Sequence, residues 1–220
     1  MNHSRLFQHP SSRPSGRGTT IGTPTFYDLS AGLLFGGTRR RSYRQLMKAA
    51  GIQSGDRVLD VGCGPGYFTR MLADAVGPTG SAVGIDAAPE MIKYASRMTR
   101  RLPNCRFESG TAEALAFPDA SFDVVVSSLM LHHLPEDIQH QAVSEMKRVL
   151  RAGGTLLLAE FAVPERGIWH VIAALTRHGG DSAMARRVPP IEPLVAEVGF
   201  AEQRTGDVPP WLHYVTAIKL

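Results

Sequence analysis

The spacing of apolar residues along the chain predicts a sheet whose strands alternate with helices. Short segments with the dense apolar content of buried strands lie at residues 57–61, 82–85, 105–109, 122–127 and 155–161. Segments with helical features separate them, at residues 67–76, 89–101 and 138–150. Because this alternation is typical of parallel strands joined by right-handed crossovers, we expect an α/β fold with helices on both faces of the sheet.

The segments that flank this core, which we place at residues 55–161, have weaker patterns. Ahead of it, two short helices are predicted at residues 26–34 and 43–50, within an N-terminal helical cap that covers residues 23–54. After it, residues 162–190 have no regular pattern, and we interpret them as a candidate lid over a substrate.

The last part of the chain adds to the sheet. Residues 193–198 predict a helix that Gly199 ends, and residues 200–205 and 212–218 predict two further strands. These strands would form an antiparallel pair at the edge. The predicted fold is therefore a Rossmann-like, seven-stranded, mostly parallel sheet, and its ligand belongs at the carboxyl ends of the strands.

Positive charge is concentrated near the N-terminus. The net charge is +4, yet residues 1–48 hold eight Arg or Lys against the single acid Asp28, which gives this part +7. A polybasic segment can bind phosphates, but its Ser, Pro, Gly and Arg content is more typical of a solvated arm. We therefore predict a disordered basic arm over residues 1–22 and a mildly acidic body.

Cysteine usage and hydropathy restrict the class of protein. Cys63 and Cys105 lack the spacing of a metal site or of a disulfide framework. No apolar run approaches the roughly 20 residues that a membrane-spanning helix needs, and the N-terminus lacks the apolar stretch of a secretory signal. We expect a cytoplasmic protein with reduced cysteines and no bound metal.

An apolar segment that leads into three alternating glycines is the strongest chemical signal. Residues 58–66 read VLDVGCGPG, so Gly62, Gly64 and Gly66 lie between a predicted strand and a predicted helix. Glycines permit a tight turn and let the backbone approach a ligand closely. Since Asp86 ends the next predicted strand, the context predicts a nucleoside site.

Charge indicates which nucleoside ligand this site would hold. A pyrophosphate needs free backbone N–H groups at a helix start, whereas Pro65 lacks one and the spacing is G-x-G-x-G rather than G-x-G-x-x-G. Asp60, beside the turn, would repel a pyrophosphate and favour an ammonium or sulfonium group. S-adenosylmethionine has both groups. Asp86 is suited to accept hydrogen bonds from ribose hydroxyls, and a helix cap is its alternative role.

The chain resembles the class I S-adenosylmethionine-dependent methyltransferases and, within them, is similar to the ubiquinone and menaquinone biosynthesis type. Its motifs follow the family's order, at residues 58–66, 84–91, 110–113, 117–118, 122–125, 131–134 and 148–154. The resemblance is close over residues 55–160. It implies S-adenosylmethionine as the cofactor and a methyltransferase domain over residues 23–220.

The resemblance also implies a set of cofactor contacts. The glycine-rich turn, Cys63 included, would lie under the methionine portion, and Asp86 would bind the ribose. Ala87 or Met91 would lie against adenine, although a place in the helix core is an equal alternative for Met91. The backbone of Ala112 would also face the adenine. The remaining candidate cofactor contacts are Thr111, Glu113, Ser127 and Tyr27.

Two adjacent histidines are the candidate catalytic residues. His132 and His133 follow the fourth predicted strand, where the acceptor should lie, and either is suited to act as a general base. Packing against the next helix, or capping it, is the alternative role. The apolar residues 168–175 favour a small hydrophobic or aromatic acceptor.

Three other functions remain as alternatives. A nicotinamide-dependent oxidoreductase would need phosphate-compatible glycine spacing, which the turn lacks. An RNA or protein methyltransferase would use the basic arm, but residues 127–130 lack the polar-Pro-Pro-aromatic motif of amino-methylating nucleic-acid enzymes, so nucleic acid is a disfavoured partner. A non-catalytic S-adenosylmethionine-binding protein is the third, because Thr111 and Ala88 replace an acid and a serine that are common in the family.

Overall fold

The structure, a computed structural model, describes residues 37–99, 101–162 and 190–220. Seven strands form one sheet in the order β3-β2-β1-β4-β5-β7-β6. The strands are β1 (Arg57–Val61), β2 (Ser81–Asp86), β3 (Cys105–Ser109), β4 (Phe122–Ser128), β5 (Leu150–Phe161), β6 (Ala201–Val208) and β7 (Leu212–Ile218). The α-helices are α1 (Arg39–Ala49), α2 (Tyr67–Val76), α3 (Pro89–Met98), α4 (Glu136–Val149) and α5 (Ile191–Glu197).

The strand order confirms the predicted architecture. Strands β1 to β5 are parallel, while β7 is antiparallel to both of its neighbours, β5 and β6. The chain moves outward from β1 to β3, then crosses back to place β4 on the other side of β1. A crevice opens at such a reversal of strand order, and ligands of α/β sheets bind there, outside the carboxyl ends of the strands.

Apolar layers cover both faces of the sheet. Successive residues of a strand point to opposite faces, so Val58 and Leu59 enter different layers. The layer with Val58 contains Leu46 of α1 and residues of α2. The layer with Leu59 contains Met146 of α4 and Ile191 of α5. Burial on both faces explains why these strands read as continuous apolar runs in the sequence.

The start of β5 differs from the prediction. Residue 150 was expected to end a helix and the strand to begin at residue 155, but Leu150 opens β5 and pairs with Phe122. The register between β4 and β5 shifts before the next pair, Val124 with Thr155. In the intervening stretch, Gly153 donates a backbone hydrogen bond of 2.7 Å to Lys219, whose own N–H donates to Gly154 at 3.0 Å. Contacts distant in the sequence therefore extend the strand back to residue 150.

Other element boundaries differ by smaller amounts. Helix α3 ends at Met98 rather than at residue 101, and α1 begins at Arg39 rather than at residue 43. A short 3-10 helix over Leu131–His133 follows β4, where no element was predicted.

Several predictions concern residues that the structure does not describe. The basic arm at residues 1–22, the helix at residues 26–34 and Tyr27 lie outside the described residues, as do residues 163–189 of the candidate lid. Within the described ranges no helix combines the length and the apolar character needed to cross a membrane. In those same ranges no group of three or more His, Cys, Asp or Glu side chains is arranged to hold a metal ion.

Candidate cofactor-binding site

The glycine-rich turn joins the carboxyl end of β1 to the first residue of α2. Its position is fixed by β2, because the backbone N–H groups of Gly62 and Cys63 both donate to the carbonyl of Ile85 at 2.9 Å. The N–H of Gly66 then donates to the carbonyl of Cys63 at 3.0 Å. Gly66 precedes α2 and has a φ angle of 76°. The turn therefore lies at the β1 side of the crevice between β1 and β4.

Two of the glycines are required by packing as well as by backbone conformation. A Cβ atom on Gly66 would lie 2.5 Å from Cζ of Phe107 and 2.9 Å from Cβ of Ala95, which are closer than van der Waals contact. A Cβ atom on Gly62, whose φ is also 76°, would collide with the side chain of Met130. Packing inside the protein therefore requires these glycines, in addition to the predicted close approach of the backbone to a ligand.

Replacing Gly66 by alanine is expected to destabilise the fold. The left-handed conformation costs a non-glycine residue about 1–2 kcal/mol, and the contact with Phe107 adds an overpacking term of about 1–3 kcal/mol. We expect urea unfolding to report a total loss of about 2–5 kcal/mol. The matched control is Gly110→Ala, because a Cβ there meets nothing within 4 Å. Equal stabilities of the two variants would contradict the packing role.

Asp60 places a buried carboxyl beside the turn. Its side chain lies in β1, the residue is 2% exposed, and the Thr69 hydroxyl donates a hydrogen bond of 2.6 Å to Oδ2. Burial raises the pKa of Asp60 to about 7, the hydrogen bond from Thr69 opposes this rise, and the nearby Asp86 carboxylate adds to it. Because an approaching cation favours the ionised form, such a carboxyl is suited to a positively charged ligand.

Asp86 connects the end of β2 to the glycine-rich turn. Its Oδ2 accepts the backbone N–H of Gly64 at 2.8 Å, and its Oδ1 accepts that of Ala88 at 2.9 Å. Burial raises the pKa of Asp86, and these two hydrogen bonds partly offset the rise. Ala88 immediately precedes α3, whose start has no side-chain cap hydrogen bond, so Asp86 holds the residue before the helix and does not cap the helix itself. An ionised carboxylate has about four lone-pair sites, which leaves acceptor capacity for ribose hydroxyls.

The loop after β3 carries the predicted adenine-side residues. Thr111 pairs with Ala114 through an isolated bridge, Ala112 is buried, and Glu113 is half-buried. Arg148 of α4 holds this loop, since its guanidinium donates to the carbonyls of Leu115 and Phe117 at 2.8 Å. This contact gives a structural reason for the arginine of the motif at residues 148–154.

The remaining predicted cofactor residues differ in exposure. Ala87 is exposed after β2, whereas the side chain of Met91 on α3 is only 4% exposed. Ser127 is buried in β4, and its hydroxyl donates to the carbonyl of Val61 at 2.9 Å, which joins β4 to the end of β1. Burial raises the pKa of the Cys63 thiol well above its usual range, so this side chain stays a neutral packing group.

His132 forms a buried pair with an acid that the sequence did not single out as a site residue. Its Nδ1 lies 2.7 Å from Oε2 of Glu160, and both side chains are 3% exposed. The other oxygen of Glu160 accepts the backbone N–H groups of Met130 and Leu131, at 3.1 and 2.8 Å. Glu160 therefore fixes both the turn after β4 and the orientation of the imidazole.

The second candidate base is held differently. His133 is half-buried, and its ring centroid lies 4.0 Å from that of His132. An acid inside the otherwise apolar run of β5 is the sequence signal that would have identified Glu160.

Fold and site together define the class of this protein. Residues 58–154 match the family of methyltransferase domains. This match and the strand order identify residues 58–154 as a methyltransferase domain with the Rossmann-like fold of the class I S-adenosylmethionine-dependent methyltransferases. The family confirms the predicted resemblance and the predicted cofactor, S-adenosylmethionine.

Individual proteins similar to this chain agree with that class. A demethylmenaquinone methyltransferase of Staphylococcus aureus is 36% identical over 132 residues, which are 60% of this chain and 54% of that protein. An uncharacterized 37.1 kDa protein of transposon Tn4556 from Streptomyces fradiae is 36% identical over 168 residues, 73% of this chain and 48% of that protein. The chain thus spans about half the length of these curated relatives.

A solved structure extends the likeness over most of the fold. The crystal structure of an S-adenosylmethionine-dependent methyltransferase from Aquifex aeolicus superposes with a TM-score of 0.73. The superposition covers 91% of this chain and 100% of that one at 21% sequence identity. At this identity the likeness supports the shared fold.

Proposed function

We propose that this chain transfers the methyl group of S-adenosylmethionine to a small hydrophobic or aromatic acceptor. The observation that carries the proposal is a pair of acids beside the glycine-rich turn at the crevice between β1 and β4, the buried Asp60 and the half-buried Asp86. A buried carboxyl suits the cationic methionine portion, and a carboxylate with spare acceptor capacity suits the ribose. The donor groups present therefore fit this cofactor.

In this proposal, most of the rate acceleration comes from aligning the acceptor, the methyl group and the sulfur. The cofactor would supply a methyl group on a positively charged sulfur, which is already an activated leaving group. Holding the reacting partners in line can supply about 7–11 kcal/mol of the barrier. Asp60 and Asp86 would fix the two ends of the cofactor, and the turn at residues 62–66 would fix the distance between them. The acceptor would approach from the side of β4 and β5.

Residues after β4 supply the candidate base for that acceptor. With Glu160 ionised, Nδ1 of His132 donates to it, which leaves the lone pair on Nε2. As the acceptor attacks the methyl carbon and the carbon–sulfur bond breaks, the acceptor's proton would pass to this nitrogen. Glu160 would stabilise the resulting imidazolium, since a charge-assisted hydrogen bond is stronger than a neutral one.

The surroundings of this pair support an apolar acceptor. A cavity of about 210 Å³ lies between the 3-10 helix, α4 and α5, next to the residue that precedes His132. Apolar and proline side chains, among them Leu131, Ile191 and Leu194, form one part of its wall. Polar side chains form the rest, namely Glu136, Gln139, His140 and Glu197. The similarity to a demethylmenaquinone methyltransferase suggests a quinone-like ring as the first acceptor to test.

Calorimetric titration of the purified protein tests the cofactor part of the proposal. We expect binding of S-adenosylmethionine and S-adenosylhomocysteine and none of NAD. Replacing Asp86 by alanine should weaken the binding of both methionine derivatives by about 10- to 100-fold, because hydrogen bonds to charged groups contribute about 1.5–3 kcal/mol. Asp74→Ala, at an exposed position on α2, is the matched control.

If Asp86→Ala bound both methionine derivatives as tightly as the wild type, the result would show that Asp86 does not bind the ribose. Its contacts to Gly64 and Ala88 would then be its only role. Turnover then separates an enzyme from a binding protein. Formation of S-adenosylhomocysteine with a reduced naphthoquinone supports the proposed acceptor class, while cofactor binding without turnover of any acceptor would favour a non-catalytic protein.

A further inference from the structure

A histidine of β7 joins three elements of the fold. The Nδ1 atom of His213 lies 2.8 Å from Oδ1 of Asp207 in β6, and its Nε2 atom lies 2.8 Å from Oε1 of Glu192 in α5. The side chains of His213 and Glu192 are 31% and 37% exposed, whereas that of Asp207 is 78% exposed. The contact to α5 is therefore the better shielded from solvent of the two.

Both contacts of His213 are hydrogen bonds only when the ring is protonated. A neutral imidazole has one N–H, so it can donate to one carboxylate and turns a lone pair towards the other. An imidazolium donates to both, and neighbouring carboxylates favour that form. Partial burial lowers the pKa of His213, but the hydrogen bonds to Asp207 and Glu192 outweigh it, and the pKa lies above its usual value of 6.5.

A third acid shares this face of the sheet but is already engaged. Glu160 of β5 lies directly opposite His213 in the register of β5 and β7, so the two side chains point to the same side. The oxygens of Glu160 contact Nδ1 of His132 and hold the turn after β4. Among the described residues, Asp207 and Glu192 are therefore the carboxylates that contact His213.

Helix α5 is anchored beyond both of its ends. At its first turn, Glu192 reaches His213. After its last turn, the ammonium of Lys147 in α4 donates to the carbonyls of Val198 and Gly199, at 2.8 and 2.7 Å. Since histidine is the side chain that changes its charge near neutral pH, the start of α5 is the end whose attachment depends on pH.

The same helix forms one wall of the cavity beside His132. Ile191 and Leu194, on either side of Glu192 in the sequence, line this cavity of about 210 Å³, and Leu131 lines it from the 3-10 helix. The first turn of α5 therefore contributes both the contact to His213 and a part of the wall. A shift of that turn would change the width of the cavity.

We propose that His213 is a positioning residue for the methyl acceptor. Through Glu192 it holds the first turn of α5 against the sheet and keeps the cavity beside His132 in the shape that binds the acceptor. The proposal rests on the proposed function, because it takes this cavity as the place of the acceptor.

The pH range of this hold follows from the raised pKa of His213. A group whose pKa is higher in the folded state stabilises the protein fully below its unfolded-state pKa, here about 6.5. The stabilisation is lost as the pH rises through the folded-state pKa. The hold on α5 should therefore be complete at pH 6 and weak at pH 9.

Hydrogen exchange of the whole chain tests the attachment of α5 without any acceptor. In the wild type, we expect the protection factors of the α5 amides to fall by about two- to fivefold between pH 6 and pH 9, the usual effect of one partly exposed ion pair. His213→Gln should lack this fall. Asp60 titrates in both proteins, so its effect cancels in the comparison.

Two carboxylate variants separate the contact to α5 from a general effect of charge. Glu192→Gln and Asp207→Asn each remove one negative charge beside His213, but only Glu192 belongs to α5. At pH 6, Glu192→Gln should lower the protection of α5 to the level of His213→Gln, while Asp207→Asn should retain most of it. Equal losses in the two variants would contradict the proposal.

Steady-state kinetics connect α5 to the acceptor. With a reduced naphthoquinone at pH 6, His213→Gln should raise the KM for the acceptor by about two- to fivefold. The kcat and the dissociation constant of S-adenosylhomocysteine should match the wild type. A lower kcat with an unchanged KM would contradict a positioning role.

The outcomes separate the two proposals. If His213→Gln leaves the protection of α5 unchanged at pH 6, the role of His213 is overturned and the proposed function stands. If the wild type binds S-adenosylhomocysteine but methylates no acceptor, the proposed function fails, and the acceptor role of His213 fails with it. A loss of α5 protection together with a higher KM supports both.

Discussion

Replacing Asp60 by asparagine is expected to stabilise the ligand-free protein at pH 8 while weakening its affinity for S-adenosylmethionine. The pKa of Asp60 is about 7 in the folded state, against 3.8 for an unperturbed group. The folded state therefore holds this proton more tightly than the unfolded state. Wild-type stability falls as the pH rises from about 4 to about 7 and then stays level, with a total loss of about 4 kcal/mol at 1.36 kcal/mol for each pKa unit.

Asparagine removes this loss because it does not ionise. Its carbonyl can still accept the hydrogen bond from Thr69, although the buried amide N–H groups cost about 1–3 kcal/mol if they find no acceptor. We therefore expect the variant to gain about 1–3 kcal/mol over the wild type at pH 8 and to lose about 1–3 kcal/mol at pH 4, where the folded wild type holds the proton and only the cost of the amide remains. Urea unfolding at the two pH values measures the difference, with Asp74→Asn on the exposed face of α2 as the matched control.

The same substitution should weaken ligand binding, although it stabilises the ligand-free protein at pH 8. In the wild type, affinity for S-adenosylmethionine should rise up to tenfold per pH unit between pH 5 and about 7, because binding requires the ionised carboxyl. The asparagine variant should bind more weakly and without that dependence. A variant that retains the wild-type pH dependence of both stability and affinity would show that Asp60 is not the titrating group.

The second large effect is expected at His132. Replacing it by asparagine places an amide N–H where Nδ1 was, so the contact to Glu160 can persist while the second ring nitrogen is lost. If the acceptor must lose a proton, kcat should fall by about 10²–10⁴-fold, the usual contribution of a general base. The dissociation constant of S-adenosylhomocysteine should stay unchanged. Single-turnover rates with a reduced naphthoquinone measure the effect.

Two further substitutions identify which group acts. In Glu160→Gln the side-chain oxygen can still accept the N–H groups of Met130 and Leu131, but its amide would donate to Nδ1 of His132 and move the imidazole proton to Nε2. We expect a loss of rate close to that of His132→Asn. His133→Gln should lose less than about tenfold, since the proposed base is His132, whose ring Glu160 orients. A larger loss in His133→Gln than in His132→Asn would reverse the assignment.

The parts of the fold that the sequence predicted are those governed by local pattern. The limits of β1 and α2 agree with the prediction because apolar strands of a parallel sheet and the glycines after them are both visible in a short window. The start of β5 at Leu150 was missed because it depends on pairing with Phe122, far away in the sequence.

The candidate site divides in the same way. Asp60 and the glycines lie in one continuous motif and Asp86 lies at the end of the next strand, so a short stretch of sequence is enough to propose them as site residues. Glu160 meets His132 only because β4 and β5 are adjacent parallel strands, so their carboxyl ends coincide.

The position of β7 has a consequence for how the chain folds as it is synthesised. This strand comes last among the seven in chain order but lies inside the sheet, between β5 and β6. Until it emerges from the ribosome, the apolar strand β5, with Leu156, Leu157 and Leu158, presents an unpaired edge on that side. Such an edge is a template for pairing with other chains. The nascent protein is therefore most prone to aggregation in the interval between the synthesis of β5 and that of β7.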